Sequence, residues 1–316
     1  MDEPIFWIKK LDKIGQSKEL HDAWIDLWQR IEKGSFLEQK MVKCLMKWYG
    51  KFPALPQDSL NDITILHISA ICGVKSLVEF IVSYNNNPNR QKGNGATPLY
   101  NAALEGHIEI VKFLTSKVDN PNKSRIDGVT PIYIASQNGH TDIVKFLTTK
   151  VDHPNEPDND GVTPIFIASQ NGHKGIIQFI TSKVDNPNEH HHNGMTPIYI
   201  ASQNGNSEIV KFLASKVDNP NESDNTGTTP ILMAALNGHF DIVKFLASKV
   251  GNPNTPNNNQ MTPIHAAAYK GHTEIVKYLV SKVDDPNPPD ANGITPLELA
   301  RRKGHSDIIE FLSSII

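Results

Sequence analysis

Over most of the chain, apolar residues come in short clusters at helical spacing, separated by polar stretches that carry proline, asparagine and glycine. The stretch TPIYIASQNGHTDIVKFLTTKVDHPN, beginning at Thr130, shows the pattern. Thr130 suits an N-cap, and Pro131 suits the first helical position, where a missing N–H is no loss. Ile132, Ala135 and their neighbours predict one short helix, and Gly139 can take the left-handed conformation that stops it. A second helix is expected from about Thr141, with Asp142 favourable in its first turn and Ile143, Val144, Phe146 and Leu147 as its apolar stripe. Lys150 lies near its C-terminus, a polar loop with Pro154 follows, and Asn159-Asp160-Gly161 signals a turn into the next Thr-Pro.

The pattern repeats. Threonine stands at 64, 97, 130, 163, 196, 229, 262 and 295, every interval being 33 residues. Proline follows from the second threonine on, glycine comes nine residues after each, and a second proline column runs through 88, 121, 154, 187, 220, 253 and 286. The two columns hold 14 of the 21 prolines, which leaves the segments between them open to helix formation. Each unit is expected to be two short antiparallel helices and a projecting turn. Helices this short are not stable alone, and stacking buries their stripes against one another.

The units resemble ankyrin repeats, whose period is 33 and whose marks are T-P-L-H-x-A and G-H-x-x-I-V-x-x-L. The resemblance covers eight units over roughly residues 58–316. It implies an all-α solenoid of helix-turn-helix units with projecting β-turn fingers. The last unit, TPLELARRKGHSDIIEFLSSII, carries Glu298, Arg301, Arg302 and Lys303, which suits a capping repeat with one solvated side. The histidine of T-P-L-H survives only as His67 and His265, and Tyr100, Tyr133, Phe166, Tyr199 and Leu232 replace it elsewhere. Ile65 stands where proline is expected, so the first unit's opening helix should start less sharply. Gln260 replaces a turn glycine, so that turn is expected to differ in shape.

Residues 1–57 do not fit the period and hold all four tryptophans, Trp7, Trp24, Trp28 and Trp48. Leu20, Trp24, Leu27, Trp28 and Ile31 follow helical spacing after Ser17, and Ser35 to Glu38 forms a capping-box pattern before Leu37, Met41, Cys44, Leu45 and Trp48. Two or three helices are expected. They either cap the exposed side of the first unit or form a separate docking or oligomerisation pair.

Charge and chemistry narrow the function. With 31 basic and 34 acidic residues the net charge is -3, which gives no electrostatic footprint for nucleic acid or an anionic membrane. Two cysteines, Cys44 and Cys72, make no disulfide framework, and no stretch approaches a membrane span or signal peptide. The expectation is a soluble cytosolic or nuclear protein. No G-x-x-x-x-G-K, H-E-x-x-H, C-x-x-C or G-x-S-x-G motif is present, and no cofactor is expected. His107, His140, His173, His239, His272 and His305 recur one repeat apart. Stacked helices lie roughly 8–10 Å apart, too far for such histidines to reach one ion at about 2 Å, so a packing and hydrogen-bonding role is expected. His190-His191-His192 is a local cluster in a turn, open to weak metal binding or, as preferred here, to solvated or partner-contacting tips.

The resemblance implies that the turns and first helices line a concave side where a partner protein binds. By position, the last turns of the first helices offer Gln137 and Asn138, Gln170 and Asn171, Gln203 and Asn204, Leu236 and Asn237, and Tyr269 and Lys270. The turns offer Ile126, Asn159, His192, Asn225 and Asn258. The three Gln-Asn pairs form an amide column that can hold the backbone of an extended segment or loop, because each amide both donates and accepts. Ile126, Leu236 and Tyr269 would then anchor it. The competing explanation is solvated residues copied by duplication, as the string SKVDNPN at 116–122, 182–188 and 215–221 suggests. The function expected is a non-catalytic scaffold, adaptor or inhibitor, a monomer that binds a protein and neither nucleic acid nor membrane. The alternatives are a substrate-recruiting subunit that docks through residues 1–57, a spacer, or an enzyme hidden in that segment, which is too short for a catalytic domain.

Overall fold

The computed structural model describes residues 65–73, 75–84 and 87–316, and the helices expected within residues 1–57 lie outside them. Among the described residues the regular structure is sixteen helices in eight pairs. They are α1 (Ile65–Ile71), α2 (Lys75–Tyr84), α3 (Pro98–Glu105), α4 (Ile108–Thr115), α5 (Pro131–Asn138), α6 (Thr141–Thr148), α7 (Pro164–Asn171) and α8 (Lys174–Thr181). There follow α9 (Pro197–Gln203), α10 (Ser207–Ala214), α11 (Pro230–Leu236), α12 (Phe240–Ala247), α13 (Pro263–Lys270), α14 (Thr273–Val280), α15 (Pro296–Lys303) and α16 (Ser306–Ser313).

The chain divides into two compact units. One holds the described residues up to Ala135 together with Asp142–Val151, and the other holds Ser136–Thr141 and Asp152–Ile316. In the first unit α1 packs on α3 and α2 on α4, each helix also packing on its own hairpin partner. In the second, α7, α9, α11, α13 and α15 stack in one row, while α10, α12, α14 and α16 continue a second row from α8. Within each unit, successive pairs share one core. From α4 to α14 the second helices bury the same three positions, such as Ile176, Ile177 and Ile180, then Ile209, Val210 and Leu213. The first helices bury Ile165, Ile198, Ile231 and Ile264 opposite them.

The sharp helix starts follow from two residues per repeat. The threonine hydroxyl accepts the N–H of the third helical residue, as in Thr163 to Phe166 at 3.2 Å and Thr196 to Tyr199 at 3.1 Å. The loop asparagine after six of the seven second-column prolines reaches ten residues forward. Asn155, Asn188, Asn221 and Asn254 accept the N–H of Ile165, Ile198, Ile231 and Ile264 at 3.0–3.2 Å. Asn122 and Asn287 do the same for Ile132 and Leu297, at 3.1 and 3.0 Å. Two orphan donors of each helix are thereby satisfied.

The turn at Gln260 corrects the expectation of a different shape. Gln260 takes φ 57, in the left-handed region that Gly161, Gly194, Gly227 and Gly293 occupy at φ 77–86 in the other turns. Its N–H donates to Asn257 O at 2.9 Å, the bond that Gly161 and Gly227 make to Asp158 and Asp224. The surrounding loop is tied so fully that the residue is forced into the turn the fold requires. A non-glycine residue there costs about 1 kcal/mol. Gln260→Gly is therefore expected to stabilise the protein by about 0.5–1 kcal/mol, read from the midpoint of urea unfolding.

Candidate protein-binding face

In the last turns of the first helices, the asparagine of several expected pairs is tied to backbone while its neighbour is not. In the second unit Asn171 Nδ2 donates to Gln137 O at 2.9 Å, and Asn204 Nδ2 donates to Gln170 O at 2.9 Å. Asn237 Nδ2 donates to Met233 O of its own helix at 3.0 Å. The asparagines thus secure the ends of these helices, two of them tying one repeat to the next. The side-chain amides of Gln137, Gln170 and Gln203 make no hydrogen bond among the described residues and face solvent to varying degrees. Leu236 is half-buried, while Asn138 and Lys270 are exposed.

The fold places the histidine column as struts between repeats. Nε2 of His173, His239, His272 and His305 donates to the carbonyls of Gln137, Gln203, Leu236 and Tyr269, 36 residues earlier, at 3.1–3.2 Å. In the first unit His107 Nε2 donates to Ile71 O at 2.9 Å. Each ring fills the space over a helix-ending glycine. A Cβ on Gly139, Gly205, Gly238 or Gly271 would lie 2.6–2.7 Å from the imidazole Cε1. Asn206 stands in for histidine once, donating through Nδ2 to Ser169 O at 2.8 Å and leaving more room over Gly172.

The turns are also paired. Asn225 N donates to Asn193 O, Asn258 N to Thr226 O and Ala291 N to Asn259 O, at 2.9–3.0 Å. The Asn225 and Asn258 side chains donate to His192 O and Asn225 O at 3.2 and 3.3 Å. Their amides align neighbouring turns, each Oδ1 lying over the glycine of the preceding turn, Gly194 or Gly227. Asn159 is exposed on its own turn. The three adjacent histidines diverge. His190 Nε2 meets Glu222 at 3.1 Å, His191 lies against Phe166 with ring centres 5.8 Å apart, and His192 covers Gly161. Among the described residues no three His, Cys, Asp or Glu side chains are grouped to hold a metal ion.

The model of the ankyrin-repeat family matches residues 34–125, 116–189, 176–257 and 250–315. The chain belongs to the ankyrin-repeat family. That match begins inside the aperiodic N-terminal segment, at residue 34. No curated protein matches the chain. Ankyrin repeats are in general protein-interaction modules. Among the described residues of this one, no helix is long and apolar enough to cross a membrane.

Where the ankyrin histidine of the first helix is kept, it is buried and neutral. His265 Nδ1 accepts the Thr262 N–H at 3.2 Å and Nε2 donates to Ile294 O at 3.1 Å. His67 Nε2 donates to Ala96 O at 3.1 Å, and burial pulls its pKa down to about 4. Where tyrosine replaces it, the hydroxyl takes a new partner. Tyr100 receives Arg125 Nη1 at 3.1 Å, with the guanidinium 5.4 Å from the ring centre. Burial first, and the nearby Asp224 second, push the Tyr199 hydroxyl well above the usual phenol range. These positions are structural supports under the turns. On the turn above Arg125, Ile126 is 72% exposed in the first unit, its N–H donating to Asn94 O at 3.2 Å. Cys72 is buried, and its thiol is pushed up to about 11 by burial and by Glu105, which removes it as a nucleophile at neutral pH.

Proposed function

We propose that this ankyrin-repeat chain is a non-catalytic scaffold that holds an extended segment or loop of a partner protein along the last turns of its first helices. The observation that carries the proposal is the division of labour within the Gln-Asn pairs. The asparagine amides are spent on the protein's own backbone, whereas the amides of Gln137, Gln170 and Gln203 have no partner among the described residues. Helices stacked at roughly 10 Å intervals meet an extended chain, rising about 3.3 Å per residue, at every third residue. Each glutamine can then give and receive a hydrogen bond with the partner's backbone. Half-buried Leu236 and exposed Tyr269 continue the row and supply apolar anchors. Turn residues Asn159, His192, Asn225 and Asn258 flank it, and Ile126 offers an apolar tip of its own. The bound guest is a protein, and no cofactor, metal, nucleic acid or membrane enters the proposal.

The test starts with affinity capture on the full chain, followed by titration of the captured protein. With about 1 kcal/mol per hydrogen bond, replacing all three glutamines by alanine is expected to weaken binding at least tenfold. The urea midpoint should not move, because these amides do nothing for the fold. Unchanged affinity would end the proposal.

A further inference from the structure

The row of last-turn residues changes character toward the end of the chain. Through α5, α7, α9 and α11 the two outward positions are neutral: Gln137-Asn138, Gln170-Asn171, Gln203-Asn204 and Leu236-Asn237. On α13 they become Tyr269-Lys270, and on α15 Arg302-Lys303, preceded by Arg301. All five are exposed. Lys303 Nζ lies 4.5 Å from the Tyr269 ring centre and Lys270 Nζ 5.6 Å from it, so the ring is flanked by two ammonium groups. Glu298 is paired with Arg302. Among the described residues no carboxylate lies within ion-pair distance of Lys270, Arg301 or Lys303.

Two ammonium groups against one tyrosine, with no carboxylate at ion-pair distance from either among the described residues, repel one another. Placement at helix C-termini favours one or two such charges. It does not call for an aromatic ring held between ammonium groups of two successive helices. Tyr269 is 37% exposed and offers an apolar face beside the charges. An anionic guest would relieve the repulsion, and the position of the patch at the end of the glutamine row fixes how that guest arrives.

We infer that Tyr269, Lys270 and Lys303 form a subsite for carboxylate side chains of an acidic protein segment. The inference rests on the scaffold reading above and specifies the partner's chemistry. One part of the extended segment lies neutral against the glutamines, and the part reaching α13 and α15 carries Asp or Glu at about every third residue, matching the helix spacing. A carboxylate beside the ring, against the Lys270 and Lys303 ammonium groups, completes charge-assisted bonds that neutral repeats cannot offer. The remainder of the chain carries a net negative charge, so this patch stands out against a surface that repels acidic guests.

The test uses the full chain and two fluorescein-labelled peptides of about twelve residues, one with Glu at every third position and one with Gln in those places. The Glu peptide is expected to bind saturably and at least tenfold more tightly than the Gln peptide, and to weaken steeply with added salt. The variant Lys270→Gln/Lys303→Gln should lose that preference. The variant Lys216→Gln/Lys249→Gln removes equal charge from exposed lysines after α10 and α12 and should keep it within twofold. Urea midpoints of both variants confirm that each is folded. Equal loss in both variants, no preference for Glu over Gln, or equal binding to single-stranded RNA or phosphatidylserine vesicles would overturn the inference. If the glutamine variant still loses a captured partner while the acidic peptide fails to bind, only this inference falls and the scaffold reading stands.

Discussion

Gly205→Ala is expected to destabilise the protein by about 2–4 kcal/mol, and Gly172→Ala by only about 1–2 kcal/mol, although both glycines end a first helix at φ 77–83. The shared part is the left-handed backbone, which costs an alanine roughly 1 kcal/mol or somewhat more. The difference lies in what sits over the glycine. A Cβ at Gly205 would stand 2.6 Å from His239 Cε1, whereas at Gly172 it would stand 3.4 Å from Asn206 Oδ1. His239 can move away only by giving up its bond to Gln203 O, a loss of about 1 kcal/mol, and by opening the seam it fills. Urea unfolding of the two variants beside the unsubstituted chain measures both values. Equal losses would show that the imidazole is no strut.

Acid should weaken the fold in a window set by the buried histidines. His67 is fully buried, and its pKa falls from 6.5 to about 4, chiefly because burial disfavours the cation. His265 is lowered for the same reason. Between those values the unfolded chain takes up a proton that the folded chain refuses. Stability from His67 is therefore complete above pH 6.5 and is lost as pH falls toward 4. At 1.36 kcal/mol per unit the loss is about 2 kcal/mol by pH 5 and about 3 kcal/mol by pH 4, with His265 adding in the same direction. Glu109 and Glu208, held low by lysine partners, matter only below the ordinary carboxylate range. His67→Tyr places there the residue found at the matching position in Tyr100, Tyr133 and Tyr199. It should flatten the pH dependence between 7 and 5 by about 2 kcal/mol. Stability curves at several pH values decide it, and an unchanged slope would show that His67 titrates normally.

These effects mark where the sequence is transparent and where it is not. Helix starts and stops were legible because each has a local chemical cause. Thr196 caps, Pro197 begins, and Gly172 and Gly139 end their helices through local chemistry. Across repeats only a role was legible: the histidine column was expected to pack and hydrogen-bond, but its partners were not legible. The bond from His239 to Gln203 O spans 36 residues, and the one from Asn204 to Gln170 O spans 34. Neither leaves a periodic apolar signal. The role of the loop asparagines was available in principle, since Asn155, Asn188 and Asn221 recur 33 residues apart beside proline. Within the repeated string SKVDNPN they look like the residue of duplication, yet each holds the next helix start. Gln260 misled for the opposite reason. Its own preference is against the left-handed turn, and the tied loop around it overrides that preference.

On the scaffold proposal a partner protein lies along the last turns of the first helices. Photo-crosslinking of the captured partner tests it most directly, with the reactive side chain introduced in the full chain either at Gln170, on α7, or at Gln178, on the exposed side of α8. A crosslinked adduct is expected from position 170 and none from 178. Adducts from 178 with none from 170 would contradict it.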